Sequence, residues 1–132
     1  MLRYLLDTNI CIYVIKRRPE FLLERFNRNT PYLAISAITL AELLHGAAKS
    51  SDPEGSLAVV EDFCSRLELL AYGAKAAQHY GQIRSALERC GTPIGVNDLH
   101  IAAHARSEGL TLVSNNLREF ERVGRLLWEN GV

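Results

Sequence analysis

The sequence predicts an α/β fold, a mainly parallel sheet with helices on both faces. Short β-prone runs alternate with helical patterns along the whole chain, the order expected of successive βα units. With 48% of its 132 residues hydrophobic, the chain can fill one packed core. That length is the usual size of one domain, so residues 1–132 read as a single unit.

Leu2 to Leu6 reads as the first strand, and a helix follows from about Asn9 to Arg17, stopping before Pro19. Thr8 or Asn9 is the expected N-cap. A second helix starts near Pro19 and carries Phe21, Leu22, Arg25 and Phe26. "YLAIS" (Tyr32 to Ser36) is a short strand leading into "AITLAELLHGAAKS", where Ile38, Ala41, Leu44 and Ala48 recur at helical spacing. "SSDPEGS" (Ser50 to Ser56) is a turn-forming break. Leu57 to Leu67 forms an amphipathic helix through Val60, Phe63, Cys64 and Leu67. "LELLAY" is a third strand and Ala74 to Arg89 another helix. Gly91 to Gly95 is a loop, and Asn97 or Asp98 opens a helix that Gly109 ends. "LTLVS" (Leu110 to Ser114) is a strand, and "NNLREFERV" a loop or short helix.

Fifteen basic and fifteen acidic residues cancel, so gross charge does not point to nucleic acid, although a local patch can still do so. Cys11, Cys64 and Cys90 are odd in number and far apart, which argues against a disulfide framework and fits a reducing cytoplasm. No signal-peptide pattern opens the chain, and no apolar run is long enough to span a bilayer.

In open parallel sheets, ligands bind at the carboxyl ends of the strands. Asp7 closes the first strand, Glu42 lies two turns beyond Ser36, Asp98 opens a helix after the glycine loop, and Asn115, Asn116 and Glu119 follow the last strand. Three carboxylates brought together would repel and partly protonate unless a cation neutralised them. Mg²⁺ suits such oxygen ligands, and with it phosphoryl-transfer chemistry on activated water. Along the helix from Asp98, Ala102 and Ala105 share its face and allow close packing on the sheet, while His100 and His104 point elsewhere.

Taken singly, each residue has a plainer reading. Asp7 and Asp98 are good helix caps, and Glu42 is a plausible solvated residue. His100 and His104 have the i, i+4 spacing of zinc ligands but lack a following Glu and a third ligand. His45 and His79 read as ordinary surface or half-buried histidines. A phosphatase built on Asp7 would want Asp-x-Asp, and Asn9 stands in the second place. A module that binds RNA or a partner without cutting remains the non-enzymatic alternative.

"LLDTNICIY", "ISAITLAELLHGA", "GTPIGVNDLHIAAHA" and "LTLVSNNLREFERV", in this order and over nearly the whole chain, resemble the PIN-domain ribonucleases, specifically the VapC toxins of bacterial VapBC toxin–antitoxin pairs. The resemblance implies a PIN-like three-layer α/β/α sandwich and Mg²⁺- or Mn²⁺-dependent endonucleolytic cleavage of RNA. It puts the family's metal-binding, catalytic acids on Asp7, Glu42 and Asp98, with Thr8, Asn9, Ser36 and Thr39 in support. Where many relatives carry a fourth aspartate this chain has Asn116, and Glu119 is the candidate replacement. One tightly held ion is therefore expected, with the second left open. General-base duty would fall to a carboxylate or to the ion's own hydroxide.

Lys16, Arg17, Arg84, Arg89 and Arg118 are the candidates for an RNA-binding rim. "GTPIGVND" and "NNLREFERV" look most like the enterobacterial branch, whose implied substrate is the anticodon loop of initiator tRNA. The resemblance also implies a homodimer and a VapB-type antitoxin that threads a segment beside the acids. The Pro19–Asn27 and Leu57–Leu67 helices are nominated for those contacts.

Overall fold

The computed structural model describes residues 1–131. The chain runs β1 (Tyr4–Leu6), α1 (Thr8–Ile15), α2 (Glu20–Asn29), β2 (Leu33–Ser36), α3 (Ala37–Ala48), α4 (Pro53–Cys64) and β3 (Glu68–Leu70). It continues through α5 (Ala74–Arg89), α6 (Val96–Glu108), β4 (Thr111–Ser114), α7 (Leu117–Phe120) and β5 (Trp128–Asn130). The strands lie in the order β3-β2-β1-β4-β5, and every pairing is parallel. The expected α/β class and helix-covered parallel sheet are thus present.

Alternation along each strand divides the core into two layers. Leu5, Ala34 and Leu112 face α5 and α6, where they meet Ile83, Leu87, Ile101, Ala102 and Ala105. Leu6, Ile35 and Val113 face the other way, onto Ile10 and Val14 of α1, Leu22 and Phe26 of α2, Leu43 of α3 and Val60 and Phe63 of α4. Phe26 stacks on Phe63 with ring centroids 5.3 Å apart, tying α2 to α4. The result is a three-layer sandwich.

Several local expectations change. The N-cap of α1 is Asp7, whose side chain accepts from the Ile10 N–H, and not Thr8 or Asn9. On α3 the buried face is Thr39, Leu43 and Ala47, whereas Ala41, Leu44 and Ala48 of the expected stripe are exposed. Apolar residues surround this helix, so periodicity alone does not select its inward face. The turn after α3 is shorter than "SSDPEGS": Asp52 caps α4 and Pro53 occupies its first turn, where a missing N–H costs nothing. Gly95, and not Asn97 or Asp98, precedes α6, placing Asp98 inside the first turn. Gly109 ends that helix at φ 67°, a left-handed conformation suited to glycine. The edge strand β5 was not anticipated, because its three exposed residues show no apolar alternation.

Topology decides where the site lies. From β1 the chain winds outward through β2 to β3, then returns across β1 to add β4 and β5. The order reverses at β1/β4, and there the carboxyl ends of adjacent strands open a crevice.

Candidate active site

Asp7 leaves β1 at this reversal. Its backbone N–H extends the ladder to the Val113 carbonyl at 3.0 Å, so its side chain stands beside Ser114, the last residue of β4. Asp7 is only 3% exposed. Oδ1 accepts from the Ile10 N–H at 2.9 Å and Oδ2 from the Ser114 hydroxyl at 2.5 Å. Burial pushes its carboxyl above the ordinary value, against the lowering effect of those two bonds, and Glu42 adds a smaller push upward. Asp7 therefore caps a helix and faces the crevice at once. A carboxylate has about four lone-pair positions, so capping leaves acceptor capacity free.

Glu42 reaches the crevice from α3. Its Oε1 accepts from the Thr8 hydroxyl at 2.6 Å, and Thr8 Oγ1 lies 3.3 Å from the buried Thr39 Oγ1. Ser36 stands back from the acids: it caps α3 through the Ile38 N–H and meets His104 Nδ1 at 2.7 Å. It supports Glu42 by fixing the start of the helix that carries it.

Asp98, half-buried in the first turn of α6, has its carboxyl pushed up to about 7. Burial is the largest cause, followed by the adjoining Glu119 carboxyl and the charges of Asp7 and Glu42. One Glu119 oxygen, Oε2, is buried without a hydrogen-bond partner among the described residues. A proton on Asp98 supplies a donor between the two acids. Glu119 thus reaches the acidic group, whereas Asn116 acts through its backbone: its N–H donates at 2.9 Å to Ser114 Oγ, which in turn donates to Asp7.

Asp7, Thr8, Asn9, Glu42 and Asp98 line one cavity of about 420 Å³, together with Ile12, His45, Gly46, Lys49 and Asn97. Three segments remote in sequence are therefore brought to one place. Among the described residues, no three His, Cys, Asp or Glu side chains are drawn into a ready-made metal cage; Asp7 and Glu42 are engaged by Ser114 and Thr8 instead. In kind, the donor set fits a hard divalent cation. Its acids offer oxygen ligands, and the raised pKa values of Asp7 and Asp98 are ones that a countercharge would relieve.

Sequence reasoning missed Ser114, His45 and Lys49. Ser114 is legible only through strand pairing. Glu42, His45 and Lys49 lie at i, i+3 and i+7, and that spacing was the available signal. His100 and His104 instead pack with Tyr72: His100 Nδ1 meets the Tyr72 hydroxyl at 2.8 Å and its ring stacks on Tyr80.

Of the basic candidates, Arg84 is bonded to Tyr80 and Glu88, and Arg89 to Ser85. Arg17 borders a different cavity, between α1 and α4, and Arg118 is exposed at the start of α7. Lys16 lines an apolar groove of about 530 Å³ that shares Ile12, Glu42 and Gly46 with the acidic cavity and runs on to Val59 and Val60 of α4. On the nominated helices, Phe21, Leu57 and Val59 are exposed.

A parallel α/β/α sandwich with acids gathered at its topological reversal defines a class, and the PIN domain model matches residues 4–126: the chain belongs to the PIN-domain family. Within that family it belongs with the VapC ribonucleases. It is 61% identical to Ribonuclease VapC2 of Haemophilus influenzae over the full length of both chains. It is 59% identical to the tRNA(fMet)-specific endonuclease VapC of Salmonella typhimurium over 93% of each. The crystal structure of DNA-bound VapBC from Salmonella typhimurium superposes with a TM-score of 0.96 at 56% identity, covering all of both chains.

Proposed function

We propose that this single-domain chain is the toxin of a type II toxin–antitoxin pair, a Mg²⁺- or Mn²⁺-dependent endoribonuclease acting in the cytoplasm on the anticodon loop of tRNA, initiator tRNA foremost. The observation that carries the chemistry is the shared cavity of Asp7, Glu42 and Asp98, with the Asp98 carboxyl pushed up first by burial and then by its acidic neighbours. The choice of tRNA rests on the name borne by the Salmonella relative.

Asp7, Glu42 and Asp98 would hold the ion, with Glu119 adding charge behind Asp98. The bound ion would supply what phosphodiester hydrolysis needs, a lowered pKa for the attacking water and neutralisation of the phosphate. The chain's own part is positional. Ser114 and the Ile10 N–H fix the Asp7 carboxyl, Thr8 orients Glu42, and Asp98, raised to about 7 without the ion, would release its proton on binding it. Asn9 and Asn97 offer amide groups at the rim of the cavity.

A VapB-type antitoxin is the expected partner, supported by the VapBC assembly of the Salmonella structure. Its segment would lie along the apolar groove from Val59 to Glu42, whose continuity with the acidic cavity lets one peptide cover both. A homodimer would use the exposed apolar residues of α2 and α4. Among the described residues no helix is long and apolar enough to cross a membrane.

The test is cleavage of initiator and elongator tRNA by the purified chain with Mg²⁺, Mn²⁺ or EDTA. Cleavage of the initiator alone, lost in EDTA and in Asp7→Asn, is expected. Asn also caps helices, so this variant keeps its fold, whereas Asp7→Ala should cost about 1 kcal/mol. Cleavage that survives Asp7→Asn would overturn the assignment.

A further inference from the structure

The acidic cavity has a wall that its acids do not explain. On α3, Glu42, His45, Gly46 and Lys49 share one face and all line the cavity. Lys49 is exposed at the helix C-cap. Its backbone N–H donates to the His45 carbonyl at 3.1 Å, and among the described residues its ammonium joins no ion pair. Of the arginines expected at an RNA-binding rim, Arg84 is engaged by Tyr80 and Glu88, and Arg89 by Ser85. A helical rise of 1.5 Å per residue sets Lys49 about 10 Å along α3 from Glu42.

An RNA strand approaching this cavity meets carboxylates that repel its phosphates. The chain's formal net charge is zero, so no general field draws the strand in. A fixed local cation must do it, placed beside the acids and not among them. Lys49 meets that description. Its ammonium is a compact point charge on a flexible stem, suited to a phosphate of variable orientation.

We propose that Lys49 binds an RNA backbone phosphate adjoining the one cut at Asp7, Glu42 and Asp98, and so sets how the strand lies across the cavity. His45, one turn earlier, offers a ring N–H to the same stretch of backbone. The proposal rests on the ribonuclease reading above. A purely structural role for Lys49, balancing the charge of the acids, makes a different prediction.

The experiment uses the full chain and a fluorescent anticodon stem-loop RNA. Binding is measured in the Asp7→Asn background, which keeps the RNA whole, across a KCl series. Lys49→Gln should weaken binding about five-fold and lower the slope of log K against log salt by about 0.7, the value for one single-strand phosphate. Lys49→Arg should restore both, and Lys75→Gln on α5 should change neither. With Asp7 intact, Lys49→Gln should raise KM and leave kcat within about two-fold, the pattern of lost uniform binding.

An unchanged salt slope overturns the proposal. So does a loss that appears only in Tm or in Mn²⁺ affinity, which would mark charge balance. If the wild type cuts RNA and the slope does not move, the phosphate contact fails and the ribonuclease reading stands. If the slope moves but nothing is cut, the reading fails and the contact stands.

Discussion

Asp98→Asn should make the metal-free protein more stable while abolishing cleavage. The Asp98 carboxyl rises from 3.8 to about 7, first through burial and then through Glu119, Asp7 and Glu42. Between about pH 4 and 7 the folded protein keeps a proton that the unfolded chain has released. Stability therefore falls as pH rises through that window, and the penalty is complete above pH 7. The full rise corresponds to about 4 kcal/mol. Asp98 is only half-buried, and solvent screening reduces that to about 2 kcal/mol.

Asparagine has the same shape and no charge, so at pH 8 in EDTA it should recover the 2 kcal/mol. With about 2.1 cal/mol/K of unfolding entropy per residue, Tm should rise by about 7 °C. Near pH 4.5 the gain should shrink to a small fraction of this, because Asp98 is then protonated in the folded protein and the window has only begun to open. Thermal melts of both proteins across this pH range, followed by circular dichroism, measure the difference. A gain that does not vary with pH, or a loss of stability at pH 8, would refute the crowding of acids around Asp98.

Ser114→Ala removes the larger of the two hydrogen bonds that lower the Asp7 pKa and leaves only the Ile10 N–H to oppose burial. The acid limb of the pH–rate profile should move to higher pH, and unfolding free energy should drop by about 1–2 kcal/mol. Gly46 sits within α3, and nothing lies within 4 Å of where its Cβ would be. Gly46→Ala should therefore stabilise the protein by about 0.5–1 kcal/mol, read as a Tm higher by about 2–4 °C. Gly46→Leu should block RNA cleavage by filling the junction of the two cavities, with no loss of Tm.

The βα alternation, the Ala74–Arg89 helix and the three central acids are legible in the sequence because each has a local signature: flanking glycines, helical spacing, or an acid just past an apolar run. The inward face of α3 was not, since it turns on Thr39, a polar residue whose hydroxyl finds Thr8 only after folding. β5 is held by backbone pairing to β4, which leaves no trace in side-chain pattern. His45 escaped because it was weighed singly, and Lys49 because it was not read as part of the face that carries Glu42. Asn116 was judged by its amide side chain, yet the atom it contributes is the peptide nitrogen, which almost any residue would provide.

The pairing of β1 with β4 has a consequence for how the site ages under stress. Asp7 and Ser114 ride on neighbouring central strands, whose spacing of about 4.8 Å is held by peptide hydrogen bonds and not by loop conformation. Centre strands are the last parts of a sheet to open in native-state fluctuations. Fraying at α2 or β5 can blur the periphery while the Asp7 carboxylate keeps its station, so its place in the crevice should be lost only when the central sheet melts.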